Sequence, residues 1–241
     1  LASHLYHVGF REGRFHDILL HVPAFSMSGG AFQVHRLVIA RSPILAQLLE
    51  GPRPDPSALV LPLSDANITP DAFAIALGWL YSEESIEHMH SGNATGVLAS
   101  AHALGLANLA GRAVECIQHD IQPETVGRYA AFVDSADYAP HTSVITGHLL
   151  SVLSSIPQGM PRAFPASAPI SREERGALVS SLTALPFRWF KRTMELPQLG
   201  VNTDHERYFL AKECVAFRRA EGRDEGMEES VVLAFGGGAG G

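Results

Sequence analysis

The chain has 241 residues, enough for one large domain or two small ones. Its apolar share of 46% and charged share of 18% are typical of a globular protein with a buried core. The formal charge of −7 argues against unspecific nucleic-acid binding, because such binding neutralises phosphates with lysine and arginine. No apolar run is long enough to predict a membrane span, and the distant Cys116 and Cys214 indicate no disulfide framework.

Three short β-strands are predicted in the N-terminal half. Residues 15–22 are rich in branched and aromatic side chains, as strands are. Residues 23–30 supply a turn, and Phe32 to His35 alternates apolar with polar side chains, so these segments predict a hairpin. Residues 59–63 predict a third strand, with Pro62 at a sheet edge or a strand end.

The apolar spacing then changes from alternation to helical spacing. A helix is predicted over residues 35–49, and its buried face consists of Leu37, Ala40, Ile44 and Leu48. The prolines of residues 52–56 end this helix, because proline donates no backbone hydrogen bond and disfavours a helical residue before it.

Three more helices are predicted before residue 121. Thr69 is the predicted N-cap of the first, with Pro70 at its first helical position. The second ends near Gly105, and the third begins by Ala107. Short elements joined by short loops are expected of one compact α+β domain over residues 1–120.

The chain from Pro123 onward is predicted to be helical only. Its helices are predicted from 126, over 144–156, around 177–195 and over 204–220. Residues 157–175, rich in proline and small side chains, predict a mobile insertion. We therefore expect an all-α domain over residues 121–220 and a flexible tail over residues 221–241.

Two ordered runs of the N-terminal half resemble the BTB/POZ domain. Phe15 to Leu20 reads Phe-His-Asp-Ile-Leu-Leu, and Phe32 to Pro43 reads Phe-Gln-Val-His-Arg-Leu-Val-Ile-Ala-Arg-Ser-Pro. Phe73 to Tyr81 is similar to the helix that follows the third strand in that family. The resemblance covers residues 3–120 and implies an α+β fold, in which helices flank a small three-stranded sheet with a hairpin.

The C-terminal half resembles the BACK domain, an all-α domain that often follows BTB/POZ. Cys116 to Ile121 and Pro123 to Val126 are similar to the beginning of that domain. Leu185 to Phe190 and Glu206 to Lys212 are similar to its later helices. The two resemblances together indicate a BTB–BACK protein of the germ-cell-less-like or fungal kind.

The BTB/POZ resemblance implies a homodimer built on the N-terminal segment. Leu5, Val8 and Phe10 would be its apolar anchors, and the alternative is that they cap their own domain. The resemblance also implies a charged pair, Asp17 and Arg36, in a groove beneath the dimer. That pair is expected to be structural first, and a peptide-binding role of the groove is the alternative.

Many BTB–BACK proteins are substrate adaptors of cullin-RING ubiquitin ligases, which the resemblance implies here as well. The candidate cullin contacts are Leu48, Leu49, Tyr81 and Val126, each of which also has an interpretation as a plain core or surface residue. The segment after residue 50 departs from the family pattern, because prolines occupy it and it lacks an apolar–x–Glu motif in the expected place.

Neither metal binding nor catalysis is expected. His88 and His90 lie near Glu83, Glu84 and Glu87, but this spacing offers no fixed frame with a cysteine or third histidine. His35 is expected to bond the backbone. Ser42 and Cys116 lack an apparent histidine and carboxylate arrangement, and Ser28 to Gly30 lacks the lysine and helix start of a phosphate-binding loop.

The sequence thus predicts a non-enzymatic protein–protein interaction adaptor without a cofactor. Its expected partners are itself, a cullin scaffold and a client protein, and neither nucleic acid nor a membrane is expected to bind directly. The alternatives are a cullin-independent scaffold and a transcriptional co-regulator that recruits peptides through the BTB groove. A cytoplasmic or nuclear location is expected.

Overall fold

The computed structural model describes residues 1–28, 30–52, 54–159, 179–197, 199 and 204–222. The chain divides into two units. The first comprises Leu1–Asp120 and Ala136–Ile145, and the second comprises Ile121–Ser135 and the chain from Thr146 onward. The first division falls between Asp120 and Ile121. The segment Ala136–Ile145, which the sequence placed in the second domain, lies in the first unit.

A mixed three-stranded sheet with the order β2-β1-β3 lies in the first unit. The strands are β1 (Ile18–His21), β2 (Ala31–Val34) and β3 (Ala58–Val60). β1 pairs antiparallel with β2, so that Ile18 faces Val34, and parallel with β3, so that Leu20 faces Leu59. All four of these side chains are buried. The predicted α+β fold with a hairpin is confirmed, with strands shorter than predicted.

The helices of the first unit are α1 (Ala2–His4), α2 (Arg36–Ile39), α3 (Pro43–Glu50), α4 (Pro70–Trp79), α5 (Ala94–Leu104) and α6 (Ala107–Asp120). α1 continues as a π-helical segment, Leu5–Arg11, and 3-10 helices occupy Pro23–Ser28 and Glu83–His88. Two helix boundaries follow the local signals that predicted them. Thr69 Oγ1 accepts a hydrogen bond from the Ala72 amide at 3.3 Å, and Gly105 ends α5 with a left-handed φ of 69°.

The predicted helix over residues 35–49 is wrong as a single helix, because it divides at Ser42. Pro43 cannot continue a helix, and Ser42 starts a new one by accepting the Leu45 amide on its Oγ at 3.2 Å. The new helix has a different register, so the predicted buried face is lost. Leu37 is 87% exposed and Ile44 is 38% exposed, whereas Ile39 and Leu45 are buried.

Aromatic and small side chains pack α4 into the core of the first unit. The Phe73 ring lies 5.6 Å from the Phe25 ring and 5.5 Å from the Phe32 ring, centroid to centroid. On the α5 side, a Cβ at Gly96 would stand 2.9 Å from the Ala72 Cβ, so α5 approaches α4 closely. This packing holds α4 against both the hairpin and the following helix.

A polar network attaches the segment Ala136–Ile145 to the loop after β3. The Tyr138 hydroxyl donates to Asp65 Oδ2 at 2.7 Å and accepts from Asn67 Nδ2 at 2.8 Å. The Tyr138 amide donates to Thr142 Oγ1 at 2.6 Å. Burial, together with the hydrogen bond to Asp65, raises the pKa of Tyr138 well above its ordinary value. These bonds explain why the segment belongs to the first unit.

The second unit is helical in the part of it that is described. Its helices include α7 (Val126–Ser135), the later part of α8 (His141–Gly159), residues 179–183, α9 (Phe187–Met194) and α10 (Asp204–Ala220). Of the predicted insertion, residues 157–159 belong to α8 and the remainder lies outside the described residues. Of the predicted tail, only residues 221 and 222 are described. Among the described residues, no helix is long and apolar enough to cross a membrane.

One arginine is buried in the second unit. Arg218 of α10 donates through Nη1 to the carbonyls of Thr183 at 2.9 Å and Leu185 at 2.6 Å. Its guanidinium also lies 5.7 Å from the centroid of the Phe190 ring. The side chain of Arg218, on α10, therefore satisfies backbone carbonyls at the end of the helical residues 179–183 and just beyond it.

Candidate interaction surface

The N-terminal segment, residues 1–11, packs partly on its own domain. The Phe10 ring stacks on the Tyr81 ring at 5.1 Å between centroids. Leu5 and Val8 are half-buried. Of the three predicted dimer anchors, Phe10 thus contacts its own domain, while Leu5 and Val8 keep apolar surface exposed to solvent.

A glycine of α4 permits the close approach of this segment. A Cβ at Gly78 would lie 2.8 Å from Tyr6 Cε2 and 3.0 Å from Ser85 Cβ, which is closer than such atoms normally come. Tyr6 is itself buried and stacks on Phe10 at 6.0 Å between centroids. Only a residue without a side chain accommodates this packing at position 78.

His35 joins the N-terminal segment to the end of α4. Its Nε2 lies 3.0 Å from the Arg14 carbonyl, which can only accept, so this nitrogen carries the proton. The Tyr81 hydroxyl then donates to His35 Nδ1 at 3.0 Å while it accepts from the His35 amide at 2.9 Å. Burial raises the pKa of Tyr81 to about 12. The expectation that His35 bonds the backbone is confirmed.

Asp17 and Arg36 do not form the predicted side-chain pair. Asp17 is exposed, and its Oδ1 accepts the backbone amide of Arg36 at 2.8 Å. The Arg36 guanidinium instead donates through Nη2 to the Pro56 carbonyl, and its buried Nε has no hydrogen-bond partner in the described part of the chain. The physical reason for this correction is that the first amide of α2 has no acceptor within its helix, and the Asp17 carboxylate provides one.

Two large apolar side chains that the sequence did not predict as contact residues are exposed near His35. Phe15, at a φ of 60°, is 84% exposed, and Leu37 is 87% exposed. The close approach of Gly9 to the His35 ring and the bond from His35 to Arg14 bring these parts of the chain together. The Ser-Pro pair at 42 and 43, a helix-start signal, could have revealed that Leu37 does not belong to a continuous buried face. We call Leu5, Val8, Phe15 and Leu37 the N-terminal apolar surface.

The predicted cullin contacts divide into two groups. Leu48 and Leu49 lie at the end of α3 and are half-buried. Tyr81 and Val126 are buried, so both are core residues and not surface contacts. Tyr81 is buried because its hydroxyl finds both its partners in His35, and Val126 packs inside the second unit.

Several of the residues considered for chemistry have structural partners or are partly buried. Ser42 Oγ donates to the Leu104 carbonyl at 2.7 Å, and burial raises the pKa of Cys116. Glu84 accepts from Ser3 at 3.1 Å and contacts His7 at 3.1 Å. No group of three or more histidine, cysteine and acidic residues that could hold a metal is found in the described part of the chain. The turn Ser28 to Gly30 includes residue 29, which lies outside the described residues.

Comparisons with known proteins agree with this fold. Residues 54–117 match the family model described as BTBDG BTB/POZ domain. The chain is also similar to the BTB/POZ domain-containing protein 2 of Schizosaccharomyces pombe. The two are 29% identical over 251 aligned positions, which cover 98% of this chain and 82% of that protein.

The matched residues run from the loop before β3 through most of α6, and the hairpin and the N-terminal segment complete the same unit. BTB/POZ domains are protein-interaction domains, and the name of the relative says that it contains one. Residues 54–117 of the first unit are thus similar to a BTB/POZ domain, and the three-stranded mixed sheet with the helices that follow it is consistent with the α+β fold of that domain.

Proposed function

We propose that this chain is a non-enzymatic adaptor that dimerises through its BTB/POZ domain and presents partner proteins, with the second unit acting as a BACK-like helical arm. The N-terminal apolar surface supports the proposal most strongly. Phe15 and Leu37 are almost fully exposed, and large apolar side chains exposed together are typical of protein–protein contacts.

A second copy of the chain suits this surface. Tyr6 and Phe10 attach the N-terminal segment to its own domain. Leu5 and Val8 are therefore held in a fixed position, in which they can contact a partner. A symmetric dimer uses the same patch on both subunits, so exposed apolar residues of one copy pair with those of the other. The charge near this surface is not concentrated in one sign, because Asp17 and Arg14 both lie beside Phe15.

Light scattering during size exclusion tests dimerisation on the full chain. The expected mass is twice the 25.9 kDa of a single chain. Replacing both Leu5 and Leu37 with Asp is expected to return the mass to that of one chain. Val144→Asp is the matched control, since Val144 is also an exposed apolar residue but lies outside this surface. A single-chain mass for the unaltered protein would contradict the dimer.

The finer proposal is that the adaptor serves a cullin-RING ubiquitin ligase. Leu48 and Leu49, half-buried at the end of α3, support it by leaving apolar surface beside the exposed Glu50. Mixing the chain with a cullin N-terminal domain is expected to give a two-to-two complex. Leu49→Asp should abolish that complex and leave the dimer, whereas Gln47→Asp, on the exposed side of the same helix, should change neither.

The alternative is a cullin-independent scaffold or co-regulator that recruits peptides through the groove of Asp17 and Arg36. The exposed Asp17 carboxylate favours it, because among the described residues only one of its oxygens accepts a hydrogen bond, from a backbone amide. If the cullin domain elutes alone beside a dimer of this chain, the cullin proposal fails and the scaffold remains. Asp17→Asn would then be the variant to test against partner peptides.

A further inference from the structure

An open groove lies between the end of α4, the 3-10 helix Glu83–His88 and the first turns of α6. Its volume is about 560 Å³, within the range of ligand sites in proteins. A smaller cavity of about 230 Å³ adjoins it, sharing Trp79, Ala107 and Asn108. The larger groove is lined by Trp79, Glu83, Ile86, Ala107, Asn108, Gly111, Arg112 and Glu115. None of these residues belongs to the N-terminal apolar surface or to the proposed cullin contacts.

Trp79 forms the aromatic part of this groove. It is half-buried, and its indole N–H donates to no other residue in the part of the chain that the structure describes. Ile86, also half-buried, adds apolar surface from the 3-10 helix. Asn108 is exposed at the start of α6 and faces both cavities. The groove therefore combines an apolar surface with hydrogen-bonding groups that are available to a bound chain.

Two carboxylates from different elements line the same groove. Glu83 is exposed and has no partner among the described residues. Glu115 of α6 pairs with Arg112 at 3.1 Å, but both side chains are more than half exposed, so solvent screens the pair and a partner can replace it. Glu87 on the same 3-10 helix adds to the acidic surroundings without lining the groove.

We propose that this groove binds a peptide segment of a partner protein that carries an Arg or Lys next to an apolar side chain. The basic group would lie between Glu83 and Glu115, and its cation can also contact the face of the Trp79 ring. The neighbouring apolar side chain would pack on Trp79 and Ile86. Aromatic residues are typical of the side chains that dominate protein interfaces. Charges around them that are opposite in sign to those of the partner add specificity. The proposal rests on the chain's proposed role as an adaptor and names a second surface for it.

A display library of random peptides, selected on the full chain, tests this directly. The selected peptides are expected to share a basic residue beside an apolar one. A synthetic peptide with that consensus should then bind at least about tenfold more weakly to the double variant Glu83→Lys, Glu115→Lys, because like charges across an interface are strongly unfavourable. Arg112→Glu should strengthen binding. Glu87→Lys is the matched control and should change the affinity less than the double variant does.

Three outcomes would overturn the proposal: a consensus without a basic residue, an equal loss of affinity in the Glu87→Lys control, or no loss in the double variant. Light scattering on the same variants separates this proposal from the adaptor proposal. If the double variant loses its dimer, the groove holds a second copy and the peptide proposal is wrong. If the unaltered chain forms neither a dimer nor a cullin complex but binds the peptide, the groove stands and the proposed function fails.

Discussion

The attachment of residues 136–145 to the rest of the first unit can be tested by removing one oxygen atom. Tyr138→Phe deletes the hydroxyl that donates to Asp65 at 2.7 Å and accepts from Asn67 at 2.8 Å, and the ring is kept. Tyr138 is only 3% exposed, so water cannot replace these bonds without rearrangement. A hydrogen bond to a charged group contributes about 1.5–3 kcal/mol and a neutral one about 0.5–1.5 kcal/mol, so we expect a loss of about 2–4 kcal/mol.

The two tryptophans allow each unit to be followed separately. Trp79 lies in the first unit and Trp189 in the second, and the sequence contains no other tryptophan. With Trp189 replaced by Phe, urea unfolding followed by fluorescence reports on the first unit. Its midpoint is expected to fall by about 1–2 M when Tyr138→Phe is added, given typical denaturant slopes of about 1–3 kcal/mol/M.

Tyr208→Phe is the matched control, because the Tyr208 hydroxyl makes no hydrogen bond within the described chain. It should leave the Trp79 transition unchanged. If Tyr138→Phe lowers the stability of the first unit by less than about 1 kcal/mol, the network is not the attachment inferred here. In the reciprocal experiment, Trp79 is replaced by Phe and Trp189 reports on the second unit. If Tyr138→Phe lowers stability only there, residues 136–145 stabilise the second unit instead.

Three further predictions concern particular side chains. Gly78→Ala is expected to destabilise the first unit by about 1–3 kcal/mol, because the new Cβ would lie 2.8 Å from Tyr6; faster hydrogen exchange in the N-terminal segment would show it. Arg218→Met is expected to cost the second unit about 2–4 kcal/mol by leaving two buried carbonyls unsatisfied, measured by urea unfolding; an unchanged midpoint would contradict this role. Burial raises the pKa of Tyr81 to about 12. The stability that this protonated hydroxyl provides is therefore present below pH 10 and is lost as the pH rises to 12. The free energy of unfolding of the Tyr81→Phe variant should fall less steeply over this pH range.

Helix boundaries with a local chemical signal could be predicted from the sequence. Thr69 and Pro70 mark the start of α4, because threonine caps a helix and the φ of proline suits its first position. Gly105 marks the end of α5, because a residue without a side chain readily adopts a left-handed conformation. No distant residue is needed to interpret such signals. The strands were predictable for a related reason, because their branched, aromatic or alternating apolar side chains belong to the strand itself.

Contacts between distant parts of the chain could not be predicted in the same way. The resemblance implied that the side chains of Asp17 and Arg36 pair, yet the carboxylate binds the backbone amide of Arg36. The signs of two side-chain charges do not indicate which backbone amide at a helix start lacks an acceptor. Likewise, nothing in the helical spacing beyond Pro123 indicates that the Tyr138 hydroxyl reaches Asp65, more than seventy residues earlier in the chain.

The clearest limit of sequence patterns lies at the end of α4, where two aromatic residues stand two positions apart. Tyr81 was predicted as a possible surface contact, and Trp79 was not considered. In the structure, His35 satisfies the Tyr81 hydroxyl and the ring is buried. The Trp79 indole, by contrast, has no hydrogen-bond partner among the described residues and lines an open groove. Apolar spacing treats the two alike, because it records size and hydrophobicity but not whether a polar group is satisfied inside the fold. The unsatisfied group is the one that remains available for binding, so the search for partners should begin at Trp79.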